Sequence, residues 1–305
     1  MSILEFKIIA CYESKLISRT YLWHIFVWSS IGLTIYQLLL YLNYYSWDLI
    51  ALDSSIPFLG VYYFNLLQGF MLVYVAANFV KKHRERKAME VLDSYPVDNT
   101  TLLFGSLWGV VRLFAGLYIG GMVVILLIHI IFLPVPFRWE YYLFYFVTLL
   151  IPTFVFILGI AFLVAHVVKH HFGMILILLS FMFVSYLYLS DVFYGLFDFW
   201  GRALPNSFSS ATGHSNLLLY LLQRFSVLCL GIGCIFLTLR LLFRIPNDTR
   251  KIKRCSVMGT GCILVACILQ VGNFYTLYEV KKVRDGYRQS YMAYHDRPYV
   301  RVVSH

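Results

Sequence analysis

Seven long runs of apolar residues constrain the fold more than any other feature of this sequence. A helix needs about 20 mostly apolar residues to cross the hydrocarbon core of a bilayer. Runs of this kind lie at residues 22–42, 58–80, 103–133, 141–168, 174–190, 216–243 and 256–277. The sequence therefore predicts an all-α polytopic membrane protein with about six to seven transmembrane helices.

The composition agrees with a chain surrounded by membrane lipids. Only 13% of the residues are charged, whereas about 25% is typical of a soluble domain. Tyr and Trp favour the membrane interface, and clusters such as YYLFYF at 141–146 mark the ends of spans. The net charge of +10 is expected to reflect basic cytoplasmic loops, so we expect no nucleic-acid partner.

The distribution of basic residues predicts the orientation, because cytoplasmic loops are enriched in Lys and Arg. With the N-terminus in the cytoplasm, the three outer connections between the first six spans hold only Arg138 and Arg202. The inner segments then hold Lys7, Lys15, Arg19, Lys81, Lys82, Arg84, Arg86, Lys87, Lys169, Arg240, Arg244, Arg250, Lys251, Lys253 and Arg254. We therefore expect a cytoplasmic N-terminus.

The two ends of the chain lie outside the apolar bundle. Residues 1–21 form an amphipathic pattern, in which Glu13 is expected away from the apolar face. Two interpretations stay open: a helix that lies in the membrane interface, or an extension of the first span. Residues 278–305 follow the seventh span and are expected outside, where the strand-like end RPYVRVVSH could begin an external domain.

The connection between the second and third runs is patterned more strongly than a simple turn requires. It reads KHRERKAMEVLDSYPVDNTTLLFG at 82–105, and its first half consists of good helix formers. Pro96 ends this helix, and Asp98 is a good N-cap for the next one. Met89 and Leu92 share one helix face, so the short helix suits a groove on a cytoplasmic partner.

This connection resembles the first cytoplasmic loop of type-2 ABC exporter permeases. The similarity is carried by Arg84, Glu85, Ala88, Met89, Glu90, Val91, Leu92, Ser94, Pro96 and Val97, followed by Leu102, Leu103 and Gly105. Lys87 stands where the family commonly has Gly, and Ser106 stands where it commonly has Lys. The resemblance covers about residues 1–243 and makes 256–277 an addition to the usual six spans.

A second similarity lies in DVFYGLFDFWGRALPNSF at 191–208. The same permeases carry an aromatic segment before the sixth span that dips back toward the membrane from outside. Trp200, Leu204 and Pro205 fit that pattern, which implies an external re-entrant segment over 191–215. The alternative is an aromatic loop at the membrane interface.

The resemblance implies a six-helix permease bundle in residues 22–243, with 81–102 as a cytoplasmic coupling loop. The residues it implies for contact with an ATPase are Arg84, Glu85, Met89, Glu90, Leu92 and Pro96. The implied partners are a separate ABC ATPase subunit, which would bind ATP-Mg, and a second copy of the chain or a similar permease. The implied location is the prokaryotic plasma (inner) membrane.

The sequence gives little support to other energy sources or to enzyme chemistry. Every Asp and Glu lies in a loop or at a span end, whereas ion-coupled carriers place carboxylates within the membrane. No GxxxxGK[ST] motif is present, so ATP hydrolysis would need a partner. His166 and His170 have metal-ligand spacing, but no acidic residue is near. We therefore expect no catalytic residue, metal or cofactor in this chain.

Two arginines lie mid-span in the apolar runs, Arg112 in the third and Arg224 in the sixth. A buried arginine in a membrane usually faces a bundle interior or cavity, although its long side chain can also reach the interface. Both are therefore predicted pathway residues, for a lipid, hydrophobic peptide or drug-like substrate. A membrane anchor for an external domain, without transport activity, is the alternative function.

Overall fold

The computed structural model describes most of the chain, and most of the described residues are helical. It covers residues 3–45, 54–84, 98–132, 137–168, 170–189, 197–201, 216–242 and 249–295, with Gly195, Phe208, Gly213 and His214 between them. The helices are α1 (Ile3–Ser18), α2 (Tyr21–Tyr45), α3 (Ser55–Arg84), α4 (Asn99–Phe132), α5 (Trp139–Val167), α6 (His171–Leu189), α7 (Leu217–Leu241) and α8 (Thr249–His295). No β-strand occurs in these ranges.

Helices α2 to α8 are long and apolar enough to cross a membrane, which makes seven in the described part of the chain. The prediction of an all-α polytopic membrane protein is therefore confirmed. The largest difference from the sequence runs is α8, which has 47 residues where the apolar run covers only 256–277. We call the end of the bundle that carries α1 the α1 end and the opposite one the far end.

Helices α3 and α5 form the centre of the bundle, and α7 packs against α5. The last contact is close because Gly159 of α5 lies against the carbonyl group of Gly231 in α7. Small residues allow helix backbones to approach in this way, which favours dispersion contacts where lipid offers no hydrophobic driving force. Helices α2, α4, α6 and α8 are buried over a smaller share of their length than the other three.

Helix α1 is separate from the first spanning helix and packs against α4. It ends at Ser18, and Thr20 accepts a hydrogen bond on its side-chain oxygen from the backbone N–H of Trp23 (3.3 Å), as an N-cap does. Against α4, the backbone of Ala10 faces Gly109: a Cβ atom there would lie 2.6 Å from the Ala10 carbonyl oxygen. A continuous extension of the first span therefore does not describe these residues.

The buried face of α1 differs from the expected one at Glu13. This side chain is 7% exposed and, together with Ser106, lines a cavity of about 30 Å³ between α1, α3, α4 and α5. The expectation was wrong because residue 13 is three positions after Ala10 and four before Ile17, and both of those are buried. Residues at these spacings share one helix face.

Helix α8 packs against α7 near the α1 end and then continues alone. Gly259 and Gly233 bring the two helices together, since a Cβ atom on Gly259 would lie 3.0 Å from the Gly233 carbonyl oxygen. Asn273 is the last buried residue of α8 among those described. The helix continues to His295, so the first part of the predicted tail 278–305 is helical. The strand-like end, 297–305, lies outside the described residues.

The contact between α1 and α4 can be tested with two glycines of α4. Gly109→Ala should lower the free energy of unfolding by about 1–3 kcal/mol, because a backbone oxygen occupies the position of the new methyl group. Gly116→Ala is the matched control, since no atom lies within 4 Å of its Cβ position. It should be neutral or stabilising by up to about 1 kcal/mol, as expected for Gly→Ala in a helix. Unfolding in detergent would measure both, and equal effects would contradict the contact.

Candidate functional site

The structure describes three of the predicted site residues in full. Trp200, Arg112 and Arg224 lie in the described ranges, and Arg84 is the last residue of α3. The remaining coupling residues and both remaining residues of the aromatic segment lie outside the described residues: Glu85, Met89, Glu90, Leu92, Pro96, Leu204 and Pro205. Their predicted contacts therefore stay predictions.

The downstream end of the predicted coupling loop is attached to two other helices. The Asp98 carbonyl oxygen accepts a hydrogen bond from the backbone N–H of Leu102 (3.0 Å), so α4 begins where the sequence predicts. The Asp98 carboxylate forms an ion pair with Lys251 of α8 (3.0 Å). The Asn99 side-chain amide donates to the carbonyl oxygen of Leu242, directly after α7 (3.5 Å). The start of α4 is thus linked to α7 and α8.

Arg224 lies at the centre of a buried polar cluster at the far end. Its side chain is 2% exposed and projects from α7 toward the backbone of residues 197–201, which we call the 197–201 segment. Its Nη2 donates to the carbonyl oxygen of Asp198 (2.7 Å), and its Nη1 donates to that of Phe199 (3.2 Å). Nη2 also lies 3.5 Å from Oδ2 of the Asp198 carboxylate, which is fully buried. The buried guanidinium of Arg224 thus has the Asp198 carboxylate as its counter-charge and two backbone carbonyl oxygens as further acceptors.

Other side chains add hydrogen bonds to the same backbone segment. Gln223 donates from Nε2 to the Asp198 carbonyl oxygen (2.8 Å), and Thr153 of α5 donates from Oγ1 to that of Phe199 (3.0 Å). The N–H of Gly201 donates to Oδ1 of Asp198 (2.8 Å). Non-helical backbone can lie among apolar helices only when such partners replace water. These side chains therefore explain how a non-helical segment lies inside the bundle.

Aromatic contacts anchor the segment between α5 and α6. The Phe199 ring stacks on Phe156 of α5, with ring centroids 4.2 Å apart. The indole N–H of Trp200 donates to the hydroxyl oxygen of Ser185 in α6 (3.0 Å), and Trp200 is 3% exposed. Gly201 has φ +83°, a conformation that favours glycine, and it lies against Leu149. Trp200 is therefore buried between helices.

Two π-helical turns flank this segment, Phe146–Leu150 in α5 and Ser185–Leu189 in α6. Such turns interrupt the regular backbone pairing and occur often at functional sites. Ser185 starts the second turn and binds Trp200. The carbonyl oxygen of Leu149, in the first turn, accepts from Nδ2 of Asn65 in α3 (3.4 Å), and Asn65 in turn accepts from Gln68. Asn65 and Gln68 are thus a second buried polar pair, in α3 beside the first π-helical turn.

The segment reaches well below the end of the bundle. Arg224 lies seven residues after Leu217, the first residue of α7, which is about 10 Å along a helix axis.

The two predicted pathway arginines, Arg112 and Arg224, do not share a site. Arg112 is exposed on α4 and donates from Nη2 to the Ser14 hydroxyl of α1 (3.0 Å).

Sequence reasoning missed Asp198, Gln223, Thr153 and Ser185, which complete the cluster. One signal could have indicated Asp198. It stands between Phe197 and Phe199 in the aromatic segment, and the next span holds a single mid-span arginine. Intramembrane charges usually pair with one another. The other three lie on helices and give no such signal, because their partners are backbone or indole groups from another part of the chain: Thr153, Ser185 and Gln223.

An aromatic group closes the far end above the cluster. The Ser54 hydroxyl forms two hydrogen bonds with the backbone of Phe208. It accepts from the N–H group (2.8 Å) and donates to the carbonyl oxygen (3.2 Å). His214 packs against Phe208 and Tyr220, with ring centroids 5.0 and 5.6 Å apart. Burial disfavours the charged imidazolium and lowers the pKa of His214 below its ordinary value. The closed arrangement therefore favours the neutral form of His214.

Comparisons of the chain with family models, with curated proteins and with solved structures found no match.

The role of Arg224 in holding the segment can be tested by substitution. Arg224→Leu should lower the free energy of unfolding by about 3–5 kcal/mol, because it leaves the Asp198 carboxylate buried without its counter-charge. Asp198→Asn should cost less, since the amide oxygen can still accept from Gly201. Arg112→Leu, which removes one partly buried hydrogen bond, should cost about 1 kcal/mol. Denaturant unfolding in detergent would rank the three, and a cost for Arg224→Leu as small as that of Arg112→Leu would refute this role.

His214 predicts a pH dependence at the far end. Because its pKa is lowered when packed, the unpacked imidazole takes up a proton first as the pH falls. The packed arrangement is therefore fully favoured above about pH 6.5 and loses stability as the pH falls from there through the lower pKa. Thermal unfolding at about pH 7.5 and about pH 5.5 should show this loss in the wild type and a smaller one in His214→Gln. His171→Gln, at an exposed position, is the control that should keep the full wild-type loss.

Proposed function

We propose that this chain is the membrane-spanning permease subunit of an ATP-driven ABC export system, coupled through residues 82–97 to a separate ATPase subunit. The observation that carries the proposal is the patterned connection between α3 and α4, with its helix-forming stretch, Pro96 stop and Asp98 restart. The arrangement of seven apolar helices supplies the required membrane bundle. The chain has no phosphate-binding loop motif of its own.

In this proposal Met89 and Leu92 fill a groove on the ATPase, while Arg84, Glu85 and Glu90 pair with its charges. Pro96 ends the loop helix directly before α4. ATP-driven closure of two ATPase subunits would then move the loop and tilt α3 and α4. The attachments of Asp98 to Lys251 and of Asn99 to Leu242 support this step, because they pass a displacement of α4 to α7 and α8.

The proposal also includes orientation and assembly. The basic residues favour a cytoplasmic N-terminus, and the family resemblance implies the plasma (inner) membrane of a prokaryotic cell. The α1 end then faces the ATPase, and the 197–201 segment lies toward the outside. The chain would work as a homodimer or with a similar permease, since the family builds its pathway between two bundles. The substrate would be a lipid, a hydrophobic peptide or a drug-like molecule.

One structural feature favours the alternative function, a membrane anchor for an external domain. Helix α8 continues for 22 residues after Asn273, which corresponds to about 33 Å of helix. In these residues the described side chains are partly or fully exposed. This part of α8 has the length of a stalk between a membrane bundle and an outer domain. A permease could also carry such a stalk.

Purification from native membranes in mild detergent, followed by mass spectrometry, tests the proposal. We expect an ATPase subunit with a Walker motif to copurify in stoichiometric amount with the wild type. Leu92→Asp should remove it, because a carboxylate in an apolar groove is strongly disfavoured. Leu92→Met, which keeps size and polarity, should retain it.

Two results would contradict the proposal in different ways. If the wild type purifies alone or with an external enzyme, the anchor function is favoured. If an ATPase copurifies equally with Leu92→Asp, the chain has such a partner but the loop is not its contact.

A further inference from the structure

We propose that Arg224, Gln223 and Thr153 form a binding site for the anionic group of an amphipathic substrate. The group is a phosphate or carboxylate attached to an apolar chain. In the present structure Asp198 and the carbonyl oxygen of Phe199 occupy this site in place of the substrate. The inference rests on the proposed function in one respect: the proposed function is what places this binding site on a transport path.

The donors of the cluster converge as they would on an oxyanion. Arg224, Gln223 and Thr153 all direct N–H or O–H groups at oxygen atoms of Asp198 and Phe199. An oxyanion presents several acceptor oxygens in a small volume, and a guanidinium with neighbouring polar donors is the usual protein partner for it. The 197–201 segment supplies the same chemistry from two backbone carbonyl groups and one carboxylate.

Arg224 has binding capacity that the segment does not use. Its Nε–H meets no hydrogen-bond acceptor among the described residues, although the side chain is almost fully buried. Its Nη2 lies 3.5 Å from the Asp198 carboxylate, which is longer than a strong charge-assisted hydrogen bond. A carboxylate or phosphate placed at the Nε and Nη2 edge could accept two parallel hydrogen bonds. An external anion can therefore bind better than Asp198 does.

An apolar slot lies next to the same segment. It has a volume of about 10 Å³ and is lined by Phe156, Phe181, Met182, Phe199 and Trp200, among others. Phe199 and Trp200 line the slot and belong to the segment that Arg224 binds. Withdrawal of the segment would join the slot to the arginine. The combined site would have an anion-binding end and an apolar wall, which suits an amphiphile better than a free ion.

The segment can leave without unfolding a helix. Its described residues are non-helical, and side chains of α5, α6 and α7 bind it. Asp198 is then an internal competitor of the substrate anion. Asp198→Asn weakens this competitor and keeps its shape, so it should increase the affinity for an external anion.

Binding to the purified full-length chain in dodecyl maltoside tests the proposal. The probes are dodecyl phosphate, dodecylphosphocholine and inorganic phosphate, measured by titration calorimetry. We expect Asp198→Asn to bind dodecyl phosphate about tenfold more tightly than the wild type, as expected for a hydrogen bond to a charged group. Dodecylphosphocholine should show a smaller gain, because its phosphate carries less charge, and inorganic phosphate should not bind measurably.

Two further variants separate specific binding from a general charge effect. Adding Arg224→Gln to Asp198→Asn should abolish the gain. Adding Arg240→Gln instead removes one charge from an exposed position of the same helix and should leave the gain unchanged. If the Arg224→Gln variant does not fold, the comparison of Asp198→Asn with the wild type decides the question alone.

The following results would overturn the proposal. Equal affinity of Asp198→Asn and wild type for dodecyl phosphate would mean that the ion pair only holds the segment in place. Equal affinities for inorganic phosphate and dodecyl phosphate would show that an apolar chain does not contribute to binding at this site. The measurement uses no ATPase and no transport, so its failure and the failure of the proposed function are distinguishable.

Discussion

The hydrogen-bonding demand of backbone groups among apolar helices is the constraint on which the far end of this protein depends. A helix satisfies its own backbone, but a non-helical segment inside the bundle must find donors elsewhere. Here Arg224 satisfies two carbonyl groups of the 197–201 segment at once, and Gln223 and Thr153 each add a further donor. A guanidinium suits this task because it offers five N–H donors in a fixed plane. Its charge then requires an acid nearby, and Asp198 lies within the segment itself.

Close glycine contacts are a second constraint, and they fix the neighbours of α7, the helix that carries Arg224. Gly159 with Gly231 and Gly233 with Gly259 bring α7 close to α5 on one side and to α8 on the other. The arginine on α7 is therefore carried by a helix with close neighbours on two sides, while the segment that it holds is non-helical. Rigid donors facing a non-helical acceptor segment are the basis of the proposal that the segment can be replaced by a substrate.

The α1 end uses similar contacts for a different purpose. Helix α1 lies against glycines of α4, and Arg112 joins the two helices through Ser14. The start of α4 is bound to α7 and α8 through Asn99 and Asp98. These links connect the predicted coupling loop to helices that reach the far end. Under the proposed function, they form the structural connection between the ATPase contact and the cluster around Arg224.

The sequence by itself determined the helical membrane architecture and the start of α4, because apolar length and capping residues are local properties of a chain. It also identified Arg224 as an unusual residue, since a mid-span charge needs an explanation. Only the tertiary structure decided what this charge does, because its partners Asp198 and Phe199 lie in the 197–201 segment, which contacts with α5 and α6 hold beside α7. The same holds for Glu13, whose burial depends on which helix covers α1. Contacts between distant parts of a chain leave no periodic pattern in its sequence, so packing alone decides them.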